Sequence, residues 1–350
     1  MEFNVKGITF KFDELEKISL TEIKKETISH AHLFHLLPGM TKAILLLRAG
    51  DFVEPSFVTK YVEKGLGDVY ALNIINKNEL LEFKELWSLL KNASNQKDSF
   101  IARDKILNKI SMDFWENKEK SFLSFVIASF EEFYFYPPII LEKYQEQSML
   151  LYTRTLLTSS ISSIAALCNG FVDYFYIKDL YNSSFMLDYG LIEYGSLNYA
   201  MSQACEKERN KPGEGIESLL KLKRPESEIT TFKHHGDISA KVAEEYSSLF
   251  KYPEVIKFIK FHHEKCDGTG FSNGYFYSGM SDAEVLLMFC DYMIPFSEHI
   301  FQKGDGHIVL KSYYNELCKM ENQYLIPVNK TMTNWESMMN WFLTKYEEVS

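Results

Sequence analysis

Three segments decide the reading: Phe232–Val242 is FKHHGDISAKV, Val255–Phe271 is VIKFIKFHHEKCDGTGF, and Ala283–Met293 is AEVLLMFCDYM. In the second, Val255, Ile256, Phe258 and Ile259 recur at helical spacing, which carries His262 onto the buried face. His263 is adjacent, and Asp267-Gly268-Thr269-Gly270 follows as a turn. In the third, Asp291 ends the apolar run Val285–Cys290. A buried neutral imidazole needs partners for both ring nitrogens. For a lone histidine a backbone carbonyl is the common partner. For His235, His262, His263 and Asp291 together the pattern points to a metal site, present or ancestral, because α-helical metallohydrolases assemble imidazoles and carboxylates at the ends of separate helices.

HHEKCDGTGF resembles the HHExxDGxGYP signature of the HD-GYP phosphodiesterases, with Phe271-Ser272 where the family has Tyr-Pro. Glu264, Asp267, Gly268 and Gly270 match the signature turn. FKHHGDISAKV resembles the family's H-x-x-x-G helix, with His235 as ligand and Ser239 at the glycine position. MFCDYM resembles its closing Ala-Asp segment, with Asp291 as ligand. Upstream, MLDYGLIEYG stands where the family has HDxGK. Asp188 and Gly190 remain, Leu187 replaces the histidine and Leu191 the lysine. Around QSMLLYTRT, Gln147 stands for a glutamate and Leu151 for a histidine, while Arg154 remains. The resemblance spans about residues 137–310. It implies an all-helical domain, and for the family it implies hydrolysis of bacterial cyclic di-GMP with two or three iron or manganese ions.

Carried over residue by residue, the resemblance implies a reduced ligand set. The counterpart of Asp188 bridges two ions, and those of His235 and His262 complete one of them. The other ion uses the two missing histidines with the counterpart of Asp291. Gln147 and His263 stand where residues help to hold a third. The implied metal residues are therefore Asp188, His235, His262, His263 and Asp291, and the lost positions are Gln147, Leu151, Leu187 and Leu191. At most one transition-metal ion is expected, iron, manganese or zinc, and no residue is assigned a catalytic role. Three functions follow. The first is a degenerate HD-GYP protein that serves cyclic di-GMP signalling as a sensor or adaptor. The second is an active metal-dependent phosphodiesterase with a reduced site or a substitute ligand such as Glu193 or Tyr152. The third is an interaction scaffold that binds no nucleotide.

Composition narrows the partners. A net charge of −10 argues against long nucleic acid but leaves room for a dinucleotide. Five cysteines with no CxxC suggest a reducing cytoplasm. Cys266 and Cys290 read as small packing residues. No apolar run reaches membrane-spanning length, and MEFNVKG lacks the pattern of a signal peptide. Neither a membrane span nor a leader is expected.

The expected fold class is mostly α. Residues 1–75 read as a small α/β regulatory or partner-binding domain, with strands in HLFHLLPGM, TKAILLLRAGDFV and DVYALNI and a helix in PSFVTKYVEKG. His30 and His32 share a strand face that His35 does not, a poor geometry for a common metal. Residues 76–136 read as a helical linker broken at NQKD and NKEK. Residues 137–350 read as the HD-GYP-like domain, with helices at 139–169, 173–190, 228–250, 254–264, 281–299, 308–322 and 331–347. The charged stretch between Tyr194 and Pro225 reads as a solvated loop with one short helix, or as a lid.

Overall fold

In the computed structural model the described residues are 2–6, 8–23, 29, 31–37, 39, 42–49, 53, 55–73, 77–116, 127–193, 199–210, 213–264 and 279–296. The expected turn at Asp267, Gly268 and Gly270, His30, and the expected helices 308–322 and 331–347 lie outside them.

The N-terminal domain follows from period-two strands, whose successive side chains face opposite ways. β1 (Glu2–Val5) and β2 (Ile8–Lys11) form a hairpin that pairs Phe3 with Phe10. β3 (Glu16–Ser19), β4 (Ala31–Leu36), β5 (Ala43–Leu47) and β6 (Asp68–Asn73) form an antiparallel sheet in the order β3-β6-β4-β5. Leu33, Val69 and Ala71 pack with Phe57 and Val58 of helix α1 (Pro55–Val62). Phe34, Tyr70 and Leu72 face the other way, onto Phe3 and Phe10 of the hairpin. The sheet is thus covered on both faces. Among the described residues, His32 and His35 join no metal-binding group. His32 Nδ1 instead accepts the Ala49 backbone N–H at 3.0 Å.

Helices α2 (Lys77–Lys91) and α3 (Gln96–Glu116) occupy the segment expected as a linker. Phe83, Trp87, Leu90, Ala102 and Ile106 share one hydrophobic core with the helices that follow. Trp87 donates its indole N–H to Ser129 O at 2.8 Å. Arg103 donates to Leu167 O and Cys168 O, a cation placed on a helix C-terminus.

The helical domain runs α4 (Pro138–Gln147), α5 (Met149–Cys168), α6 (Tyr174–Phe185), α7 (Gly190–Glu193), α8 (Tyr199–Asn210), α9 (Glu214–Lys221), α10 (Glu226–Glu245), α11 (Ile256–Phe261) and α12 (Asp282–Met293). The single helix expected over 139–169 is broken. Ser148 is extended there, and its hydroxyl caps α5 by accepting Leu151 N–H at 3.2 Å. α5 is buried along nearly its whole length. Four of its hydroxyls are satisfied within the helix: Thr158, Ser159, Ser160 and Ser163 each donate to the carbonyl four residues earlier.

The stretch expected as a solvated loop contains α8 and α9. The buried Glu208 carboxylate accepts the N–H groups of Gly213 at 2.7 Å and Gly215 at 3.1 Å, which holds the start of α9 against α8. Glu206 accepts Phe296 N–H at 2.9 Å and ties this helical pair to the chain after α12. Cys168, Cys205 and Cys290 are free thiols, and Cys290 is fully buried in the core. Among the described residues no helix is long and apolar enough to cross a membrane.

Candidate metal centre

α10 supplies His235 from its buried face. Its neighbours come close because glycines sit at the crossings. A Cβ on Gly190 would overlap the His235 carbonyl oxygen, and one on Gly236 would lie 3.0 Å from Lys260 O. Gly190 therefore lets the turn before α7 reach α10, and Gly236 lets α11 do the same. His262 and His263 follow the last turn of α11. Asp188 sits in the turn 186–189, between α6 and α7. The end of α6 is held by the Tyr144 hydroxyl, which donates to Phe185 O at 2.8 Å.

Asp188, His235, His262 and His263 each offer one ligand atom, and these atoms lie within 4.8 Å of one another. All four residues are buried. His235 Nδ1 is 2.6 Å from Phe232 O, and His262 Nδ1 is 2.7 Å from Ile259 O. A carbonyl only accepts, so each Nδ1 carries the proton and donates it. In the neutral rings Nε2 is then a bare lone pair. His235 Nε2 nevertheless lies 3.3 Å from His262 Nε2 and 3.0 Å from His263 Nε2. With both rings neutral, the His235 and His262 lone pairs would face each other, an arrangement that a proton or a metal cation between them would relieve.

Asp188 Oδ1 points at the same place. It lies 3.5 Å from His235 Nε2 and 3.6 Å from His262 Nε2, is fully buried, and accepts no hydrogen bond among the described residues. A carboxylate oxygen so placed is costly unless something positive meets it. The donor set, three imidazole nitrogens and one carboxylate oxygen, fits one zinc, iron or manganese ion. The Nδ1–H to carbonyl bonds would orient the rings as outer partners of metal-bound histidines do.

The other oxygen of Asp188 is engaged elsewhere. Arg154 Nη1 donates to Asp188 Oδ2, and Nη2 donates to Asp291 Oδ1 at 2.5 Å and to Asp291 O at 3.0 Å. Nε donates to Ile294 O at 3.0 Å, and the Phe296 ring lies 4.0 Å from the guanidinium carbon. Burial pushes the Asp188 carboxyl up, but Arg154 and then His262 outweigh it and hold it well below the usual carboxylate range. Burial, with His262 beside it, lowers His235 to about 4. Burial also opposes charge on His262, but Asp188 outweighs it and raises that ring.

The sequence residues distribute as follows. Asp188, His235, His262 and His263 converge. His263, which the resemblance assigned to a third ion, stands with the other two histidines. Asp291 is not in the group, because its carboxylate turns to Arg154. Glu264 is buried beside His263, with its N–H on Phe261 O. Gln147 ends α4 half-buried, outside the group. Leu151, Leu187 and Leu191 are buried members of the hydrophobic core. The two suggested substitutes do not join the group: Glu193 pairs with Lys143 at 2.5 Å, and Tyr152 bonds with Gln145.

Two residues matter more than the sequence reading implied. Arg154 enters the sequence reading only as a residue retained in the resemblance, and its burial between two carboxylates has no local signal. Ser239 Oγ donates to Leu187 O at 3.0 Å and accepts Gly190 N–H at 2.7 Å. A serine where the resemblance places glycine was the one available hint.

No family model matches the chain, and no curated protein matches it. A solved structure of an HDG"Y"P protein from Bdellovibrio bacteriovorus is similar at 17% identity, covering 87% of this chain and 99% of that one, with a TM-score of 0.34. A likeness of that size leaves the reading of the site to its own residues.

Proposed function

We propose that this chain is a degenerate HD-GYP protein with a one-ion centre at Asp188, His235, His262 and His263. In this reading it has lost most or all phosphodiester hydrolysis and serves cyclic di-GMP signalling as a sensor or adaptor. One observation carries the proposal. On the side where the family's second ion would bind, Leu151 and Leu187 are packed in the core, and Arg154 stands between the carboxylates of Asp188 and Asp291.

The chemistry explains the consequence. Two ions a few ångströms apart hold a nucleophilic hydroxide and clamp the phosphate together. A single bound ion would supply Lewis acidity to one phosphate oxygen. This chain's residues would hold that ion, keep the His235 and His262 rings turned by their Nδ1–H bonds, and surround it with apolar packing. Leu191, in place of the family's lysine, offers no cation to a phosphate. The N-terminal sheet domain would carry the protein partner.

The test pairs calorimetric titration of the full chain with cyclic di-GMP, with and without chelator, with chromatographic analysis of products in added Mn²⁺ or Fe²⁺. Binding without multiple turnovers supports the proposal. Turnover at an ordinary enzymatic rate, abolished by His262→Ala, refutes it. Absence of nucleotide binding leaves the scaffold reading in its place.

A further inference from the structure

We propose that Ser239 is a positioning residue for the metal centre, acting through Asp188; this rests on the one-ion reading above. Ser239 is fully buried one turn after His235 on α10, so both side chains project from the same face. Its hydroxyl donates to Leu187 O at 3.0 Å and accepts Gly190 N–H at 2.7 Å. These two groups flank Asp188 on either side. The turn's own backbone bonds, Tyr189 N–H to Met186 O at 3.1 Å and Leu191 N–H to Asp188 O at 3.0 Å, hold its shape, whereas Ser239 ties it to α10. Gly190 lies directly against the His235 backbone. A single helix therefore presents one ligand and, one turn on, holds the loop that presents another.

The consequence is specific. Asp188 already gives Oδ2 to Arg154, so only Oδ1 faces the imidazoles. A small rotation of the 186–189 turn would take Oδ1 away without disturbing His235 and His262, which are held by carbonyls of α10 and α11. Ser239 opposes that rotation through both of its hydrogen bonds. Replacing an outer-shell group of this kind weakens metal binding about 10–100-fold.

Co²⁺ titration of the full chain tests this, with affinity read by competition against a chromophoric chelator and coordination read from the visible d–d bands. The four proteins are wild type, Ser239→Ala, Asp188→Asn and the double variant. Ser239→Ala is expected to weaken Co²⁺ by about 10–100-fold and change the bands in the wild-type background, but to change affinity by less than about twofold in the Asp188→Asn background, as a shared mechanism requires. An equal loss in both backgrounds, or no loss in either, overturns the role. Should the alanine variant not fold, Ser239→Thr and Ser239→Cys give the same contrast. Threonine keeps the hydroxyl and the affinity, the weak thiol donor loses affinity, and equal affinities overturn the role. Failure of the wild type to bind Co²⁺ refutes the one-ion centre itself, and this role with it.

Discussion

Replacing Arg154 by methionine is a severe perturbation whose size follows from its contacts. The guanidinium is buried, donates to both Asp188 and Asp291, and also serves the carbonyls of Asp291 and Ile294. Methionine keeps much of the apolar stem over Phe296 but none of the donors. Two buried carboxylates then lose their cation, and breaking a buried pair from one side costs about 3–5 kcal/mol. That is a large share of the roughly 5–15 kcal/mol that holds a domain folded. The pH dependence carries a sign as well. In the wild type Asp188 is held well below the usual carboxylate range despite its burial. Its contribution is present above the unfolded-state value near ~3.9 and is lost as pH falls below it. In Arg154→Met burial acts on Asp188 with far less opposition and its carboxyl rises, so the variant loses less stability than the wild type as pH falls. Urea denaturation at several pH values in chelator reads both effects. A loss under about 1 kcal/mol at pH 7, or identical pH profiles for the two proteins, would refute the assignment of Arg154 as the cation that compensates both carboxylates.

Other consequences are as direct. Gly190→Ala places a methyl against the His235 carbonyl oxygen, so it is expected to cost about 1–3 kcal/mol and to weaken metal binding; an unchanged melting temperature contradicts the close approach. In the N-terminal domain, burial and then Arg48 lower His32 to about 4. The unfolded chain takes up this proton near pH ~6.5, so the domain loses stability as pH falls between those values. Imidazole NMR showing His32 titrating near 6.5 contradicts this. Removing a ring by His262→Ala leaves Ile259 O without its donor and is expected to cost on the order of 1–3 kcal/mol in chelator, read by denaturation.

Much of the site was legible because its signals are local. Helical spacing put His262 on a buried face, although the helix ends at Phe261, three residues before the expected end. The resemblance around Asp188 and Gly190 located the loop that meets α10. What was missed depends on contacts distant in sequence. Asp291 was read as a ligand, yet its direction is set by Arg154, 137 residues earlier. The hydroxyl of Ser239 looked like a lost glycine and is instead a bridge across the Asp188 turn. The segment after Tyr194 looked solvated because of its charges and Pro212-Gly213. The buried carboxylate of Glu208 instead accepts the N–H groups of Gly213 and Gly215 and fixes the start of α9. β1, β2 and β3 have four residues each, too short for alternation to stand out. The helix break at Ser148 was overlooked because a serine inside an apolar run reads as tolerated polarity, whereas here it is a cap.

In the proposed single-ion centre, Arg154 and buried leucines stand where a second ion would bind. The most direct test is elemental analysis of the chain purified without a histidine tag and reconstituted with Fe²⁺, Mn²⁺ or Zn²⁺, beside His262→Ala. One equivalent per chain in the wild type, and loss of it in the variant, is the predicted result. Two or more tightly held equivalents, or one equivalent that survives His262→Ala unchanged, would contradict the account.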